Sequence, residues 1–281
     1  MIGIYNIKKD MVKRLSKSFD IYEFSIGDFD FPDIDGLIIN YSSEMERKKW
    51  VYQAALIEKY IKKVKTVIFD GSLSLTQKQF KWLKKFNVYF FEPVLNNRRE
   101  FQYLPYWIDD MSIDSSNERS IHMACDYYNL EDRIKYFEKY YRQFAKLFPD
   151  KRVCYSTSVL NKKKIEDYKN DNLELLDSID YSDVCYHVII DNTKNYKTGY
   201  LDKSIFDIMG DWCVPILSKE HRYFHALFHP LVVNDVKDID YFTSVSGINY
   251  ELIEGVFETL KKHYPEFLIY SVSDVLVNCF K

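Results

Sequence analysis

The sequence predicts an α/β protein built from two successive parallel sheets. Short, almost wholly apolar runs recur along the chain, and stretches with helical spacing separate them. After a polar, aperiodic segment at 109–119 the alternation starts again. Runs that are apolar at nearly every position suit strands covered on both faces, as in parallel sheets with crossover helices.

Taken in order, residues 1–7 read as a strand, 8–19 as a helix and 21–26 as a second strand. The run Gly36-Leu37-Ile38-Ile39-Asn40 predicts a third strand, and Ser43 with Glu46 has the spacing of a capping box opening a helix to about residue 64. A strand at 66–70, a helix at 76–86, a strand at 88–91 and a short strand at 101–104, closed by Pro105, complete the first half. Past the break, the pattern predicts a strand at 121–124, a long helix at 130–148, a strand at 152–156 and a Lys-rich helix at 161–170. Residues 173–176 and 184–190 read as strands or buried helical segments, 204–209 as a helix and 214–217 as a strand. Helices at 248–264 and 272–280 close the chain. Two α/β halves imply two Rossmann-like domains facing each other across a cleft. Their expected bounds are 1–108 and 109–250, with the helices of 251–281 packing back on the first.

The 281 residues are 47% hydrophobic and 29% charged, the balance of a globular protein. No apolar stretch reaches the ~18 residues that span a bilayer, and the N-terminus lacks a signal-peptide pattern, so no membrane segment and a cytoplasmic location are expected. Five cysteines stand singly without a CxxC pair, which argues against a disulfide framework or a zinc site. His221, His225 and His229 recur every fourth residue, but Pro230 and the neighbouring Tyr223, Phe224 and Phe228 read as a packed connector rather than a metal site. No GxGxxG or P-loop occurs, which excludes a tightly cradled NAD and a simple kinase or GTPase.

Charge is divided unevenly. Residues 1–108 carry 18 Lys+Arg against 13 Asp+Glu, and residues 109–281 carry 21 against 29. Within the first half, residues 36–108 hold 13 basic and 6 acidic groups. A basic patch on an otherwise acidic chain is the footprint of a polyanion partner such as nucleic acid, set against lysines that merely coat helix faces.

Two places carry candidate chemistry. Asp70 closes the apolar run Thr66-Val67-Ile68-Phe69 and precedes Gly71-Ser72, which puts a carboxylate at the carboxyl end of a buried strand. Ligands bind at that edge in open α/β sheets, and a carboxylate there can act as a general base; a turn or cap role is the alternative. The second place is 194–217, which reads as a polar loop, a short helix carrying Asp207, a Gly-containing turn and a buried strand. An acid so placed can take both hydroxyls of a ribose, while the helix N-terminus attracts a diphosphate.

This arrangement resembles the donor-binding element of GT-B type sugar-nucleotide glycosyltransferases. Within them, the order of several segments is similar to the DNA β-glucosyltransferases of T-even phages. The segments are Asp35 to Ser43, Phe69 to Gln77, Glu100 to Tyr106 and Lys194 to Ile216. The resemblance implies an inverting transferase that moves a sugar, glucose above all, from a UDP-sugar to a hydroxymethylated pyrimidine in phage DNA. It places the catalytic general base on Asp70 and the ribose acid on Asp207, beside Tyr200. Arg133 falls on one phosphate-binding position, Asn129 stands near another, and Lys203 replaces a third arginine. Lysine is the weaker bidentate phosphate partner, which leaves the sugar nucleotide less specified than the reaction. DNA phosphates would meet Lys78, Lys81, Lys85, Arg98 and Arg99, and Trp82 or Trp107 offers a ring to a flipped base where it is not core. A divalent Mg or Mn ion is compatible with such chemistry, though no ligand set demands one. A GT-B enzyme acting on a surface glycan or small acceptor, and an inactive DNA-binding protein on the same scaffold, remain alternatives.

Overall fold

A computed structural model describes residues 1–28, 31–42, 46–95, 98, 100–107, 119–127, 146, 149–157, 173–190, 193–201, 204–224, 232–233 and 250–281. The chain divides into two compact units, Met1–Asp109 with Pro265–Lys281, and Asp110–Tyr264.

The first unit holds strands β1 (Ile2–Tyr5), β2 (Ile21–Glu23), β3 (Gly36–Asn40), β4 (Lys65–Phe69), β5 (Val88–Glu92) and β6 (Gln102–Tyr103). They form one parallel sheet in the order β2-β1-β3-β4-β5-β6. Helix α1 (Lys9–Leu15) follows β1, α2 (Arg47–Tyr60) follows β3, and α3 (Gln77–Leu83) follows β4. The sheet is dry on both sides: Leu37, Ile38, Ile39, Val67 and Ile68 have no exposed surface, and Leu56 of α2 and Leu83 of α3 close over it. Each such side chain contributes roughly 1.5–3 kcal/mol through burial, which is why the apolar runs became strands.

The α2 start differs from the expected capping box. The helix begins at Arg47 with Glu46 in the cap position and no side-chain cap, while Ser43 lies outside the described residues. A full capping box stands instead at α3. Thr76 Oγ1 accepts from Gln79 N at 3.3 Å, and Gln79 Oε1 accepts from Thr76 N at 2.9 Å.

The second unit holds β7 (Ile121–Tyr127), β8 (Val153–Thr157), β9 (Leu173–Leu176), β10 (Val184–Ile189), β11 (Val214–Ser218) and β12 (Val232–Val233). Its parallel sheet runs β9-β8-β7-β10-β11-β12. Counted within the unit this is 3-2-1-4-5-6, the order of dinucleotide-binding sheets, with its reversal between β7 and β10. Helices α4 (Thr193–Thr198) and α5 (Ser204–Gly210) lie between β10 and β11, and α6 (Tyr250–His263) ends the unit. The expected helices at 130–148 and 161–170 fall almost wholly outside the described residues. All five cysteines are free, and Cys125, Cys154, Cys213 and Cys279 are buried, as small core residues would be.

After α6 the chain contributes α7 (Ile269–Asn278) to the first unit, where it packs on α1. Phe280 meets Phe19 edge-on at 5.9 Å and lies over Gly36, where any Cβ would collide with its ring.

Candidate functional site

At the carboxyl edge of the first sheet the chain builds a tight cluster around Asp70. Backbone order carries it there: Tyr41 N donates to Phe69 O at 2.7 Å, and Asp70 N donates to Phe91 O at 2.8 Å. The Asp70 side chain has 0% exposure. Its Oδ1 accepts from Ser74 N at 2.8 Å, and its Oδ2 accepts from Leu75 N at 3.0 Å and from Arg98 Nη2 at 2.7 Å. These bonds hold the turn in which Leu73 sits at φ 54°, a left-handed conformation that costs a branched residue about 1–2 kcal/mol. Gly71 is required here, because a Cβ would strike the Tyr106 hydroxyl and Asn40 Oδ1.

Arg98 completes the cluster. Its Nε donates to Glu92 Oε2 at 2.8 Å, its Nη1 to Leu75 O at 2.9 Å, and its backbone N to Glu92 Oε1 at 2.6 Å. The guanidinium lies 3.7 Å from the centre of the Phe101 ring. This geometry bears on two expectations. Asp70 does not offer a free carboxylate to an acceptor hydroxyl, because both oxygens are bonded and the group is sealed from solvent. Arg98 pairs with Asp70 and Glu92, and its side chain remains 35% exposed.

The remaining basic candidates behave differently. Lys78 and Lys81 of α3 and Lys85 just beyond it are exposed, whereas Arg99 lies outside the described residues. Trp107 is buried, with its Nε1 donating to Asp10 Oδ2 at 2.9 Å, so it is core. Trp82 is 42% exposed and Trp50 is 40% exposed. The two indoles flank a cavity of about 270 Å³ between α2 and α3, floored by Ile57 and Leu83. Tyr41 reaches the same cavity and accepts from Gln79 Nε2 at 2.7 Å. Burial, helped by the nearby Asp70 charge, raises its phenol above the ordinary value. Sequence reasoning singled out Trp82 but missed Trp50, whose signal was its position beside Arg47, Lys48 and Lys49.

In the second unit, Asp207 stands half-buried in the first turn of α5, and its carbonyl accepts from Asp211 N at 3.2 Å. Burial raises the Asp211 carboxyl, and the negative charges of Asp180 and Asp207 add to it. Tyr200 is buried, its N donating to Asn195 O at 3.1 Å. Asn129, Arg133 and Lys203 lie outside the described residues. At the carboxyl end of β11, Ser218, His221 and Tyr196 form a buried polar group that sequence reading did not assemble. The His221 ring meets Tyr196 edge-on at 4.6 Å, and its Nδ1 is 3.4 Å from Ser218 Oγ. His221 therefore belongs to a packed connector, and His225 and His229 lie outside the described residues. Among the described residues there is no group of three or more His, Cys, Asp or Glu placed to hold a metal, and no helix long and apolar enough to cross a membrane.

Comparisons with known proteins bear on the fold. No family model and no curated protein sequence matches the chain. Among solved structures, the lipopolysaccharide glycosyltransferase WaaG matches with a TM-score of 0.55 at 6% identity, over 100% of both chains. The avilamycin A glycosyltransferase AviGT4 matches with a TM-score of 0.57 at 6% identity, over 99% of this chain and 96% of that one. An α-glucosyltransferase solved with UDP and a 13-mer DNA matches with a TM-score of 0.45 at 13% identity, over 95% of this chain and 78% of that one. Several further matched proteins are longer, and the chain spans about half of them. Two parallel α/β sheets with these likenesses give the chain the GT-B fold of glycosyltransferases.

Proposed function

We propose that the protein is a glycosyltransferase that takes its sugar from a UDP-sugar and passes it to a hydroxymethylated pyrimidine in DNA. The observation that carries this reading is the second sheet. Its 3-2-1-4-5-6 order is that of sheets that bind nucleotides outside the carboxyl ends of the two strands at the reversal, here β7 and β10, and the connection leaving β10 carries Tyr200 and Asp207 in its sequence. In this reading Asp207 accepts from the ribose hydroxyls, and Tyr200 shapes the wall beside it. Asn129, Arg133 and Lys203 would bind the diphosphate, whose developing charge is the main quantity to be stabilised as the sugar departs. A divalent ion at the diphosphate would serve the same end.

The DNA part of the reading rests on the exposed Lys78, Lys81 and Lys85, in a segment where basic groups outnumber acidic ones 13 to 6. A duplex base reaches a transferase pocket only by leaving the stack, which costs a few kcal/mol. Asp70 has a positioning role here, holding the 71–75 turn while another group takes the acceptor proton.

Titration calorimetry with a panel of UDP-sugars tests the donor half directly. Binding of at least one UDP-sugar, weakened by Asp207→Ala without loss of thermal stability, supports it. Absence of binding across the panel in the well-folded protein overturns it.

A further inference from the structure

The cavity between α2 and α3 belongs to the first unit and has features of its own. Its two indoles are among the largest exposed apolar side chains, and that of Trp82 is packed against a neighbouring ring. Trp82 meets Phe86 edge-on at 5.4 Å and 70°, and Trp50 shares the cavity wall with Tyr41. Exposed rings held in place present a face at little entropic cost.

The two amides of the lining are engaged within the protein. Gln53 Oε1 accepts from Ser42 N at 3.2 Å, and its Nε2 donates to Ser42 O at 3.2 Å. Gln79 is committed to Thr76 and Tyr41. A guest would be held by its faces, not by its hydrogen-bonding edge.

Charge completes the description. Lys78, Trp82 and Lys85 stand at i, i+4 and i+7, so they share one side of α3, with Lys81 adjoining. No acidic residue occurs from Gln77 to Lys85, while Glu58 lies across the cavity on α2. The anionic part of a guest is thereby directed to the α3 side.

From these three observations we propose that this cavity takes an unpaired base of a single-stranded nucleic acid. The base stacks on Trp82 and Trp50, and the adjoining phosphates lie along Lys78, Lys81 and Lys85. The inference rests on the DNA-acceptor reading and adds to it a sequence-tolerant stacking site on the first unit. A recess floored by Ile57 and Leu83 suits an inserted ring better than a bilayer surface, which would call for a protruding apolar wedge. Base–aromatic stacking tolerates any sequence, because every base has a π-face.

The test compares a labelled thymidine oligonucleotide with an abasic strand of equal length, binding each to the full chain. Tighter binding of the base-bearing strand is expected. The double variant Trp50→Ala/Trp82→Ala should lose roughly 10–100-fold in affinity for it and little for the abasic strand. Trp82→Phe should restore part of that loss. Lys78→Gln/Lys81→Gln/Lys85→Gln should weaken both strands and flatten the salt dependence by about 2 in log–log slope. Equal affinity for the two strands overturns the proposal, as does binding only to vesicles of phosphatidylglycerol. Sugar transfer to DNA measured in parallel separates the two readings. Transfer without base-dependent stacking removes this site alone, and stacking without transfer removes the enzyme assignment alone.

Discussion

Arg98 stands between Asp70, fully buried, and Glu92, 2% exposed, at 2.7 and 2.8 Å. Removing one partner of such a group leaves uncompensated buried charge, so Arg98→Met should cost about 3–5 kcal/mol in denaturant unfolding. Asp70→Asn discriminates between two roles. A positioning residue predicts lower stability by about 1–3 kcal/mol, with turnover per folded molecule changing less than tenfold. A general base predicts intact stability and a rate loss of ~10²–10⁴. His122 offers a pH test in the second unit. Burial, with Lys151 adding to it, holds its ring below the ordinary value of 6.5, so the unfolded chain binds more protons there. Its contribution to stability is therefore complete above pH 6.5 and declines as pH falls toward the folded value. His122→Gln should reduce the fall in thermal midpoint between pH 7 and pH 5; an unchanged fall would deny the effect. The place of Asp70 at a strand end was legible from four apolar residues and a glycine. Its burial was not, because the neutralising arginine lies 28 residues away in a loop with no periodicity.

At the scale of elements, strands were the most legible, since a run such as Leu37-Ile38-Ile39 is stable only when covered on both faces. Helix α4 was missed. Thr193–Thr198 is polar and under two turns long, too short to show a period, and its one apolar anchor is the buried Tyr196. The start of α2 was misplaced because Ser43 and Glu46 match a cap by spacing alone, while the helix starts at Arg47. The same motif logic holds at α3, where Thr76→Ala should lower stability by about 1 kcal/mol. Docking of α7 makes a sharper test. Gly36→Ala inserts a methyl into the Phe280 ring and the Ile2 side chain, so overpacking should cost about 1–3 kcal/mol. Removing that ring with Phe280→Ala in the same chain should make the Gly36→Ala change less costly, and simple additivity would contradict the packing account.

For the molecule as a whole, composition indicated two α/β halves and an uneven charge, but not the order of strands. Order depends on which crossover goes to which side of the first strand, and residues do not record that locally. The 3-2-1-4-5-6 order of the second unit and the basic α2–α3 surface of the first together support sugar transfer to a polyanion. Mass spectrometry of DNA containing hydroxymethylated pyrimidines, incubated with the protein and a panel of UDP-sugars, tests that claim most directly. The account predicts a mass gain of one sugar per modified base with at least one donor. No gain on any modified DNA, with the protein folded and the donors intact, would contradict it.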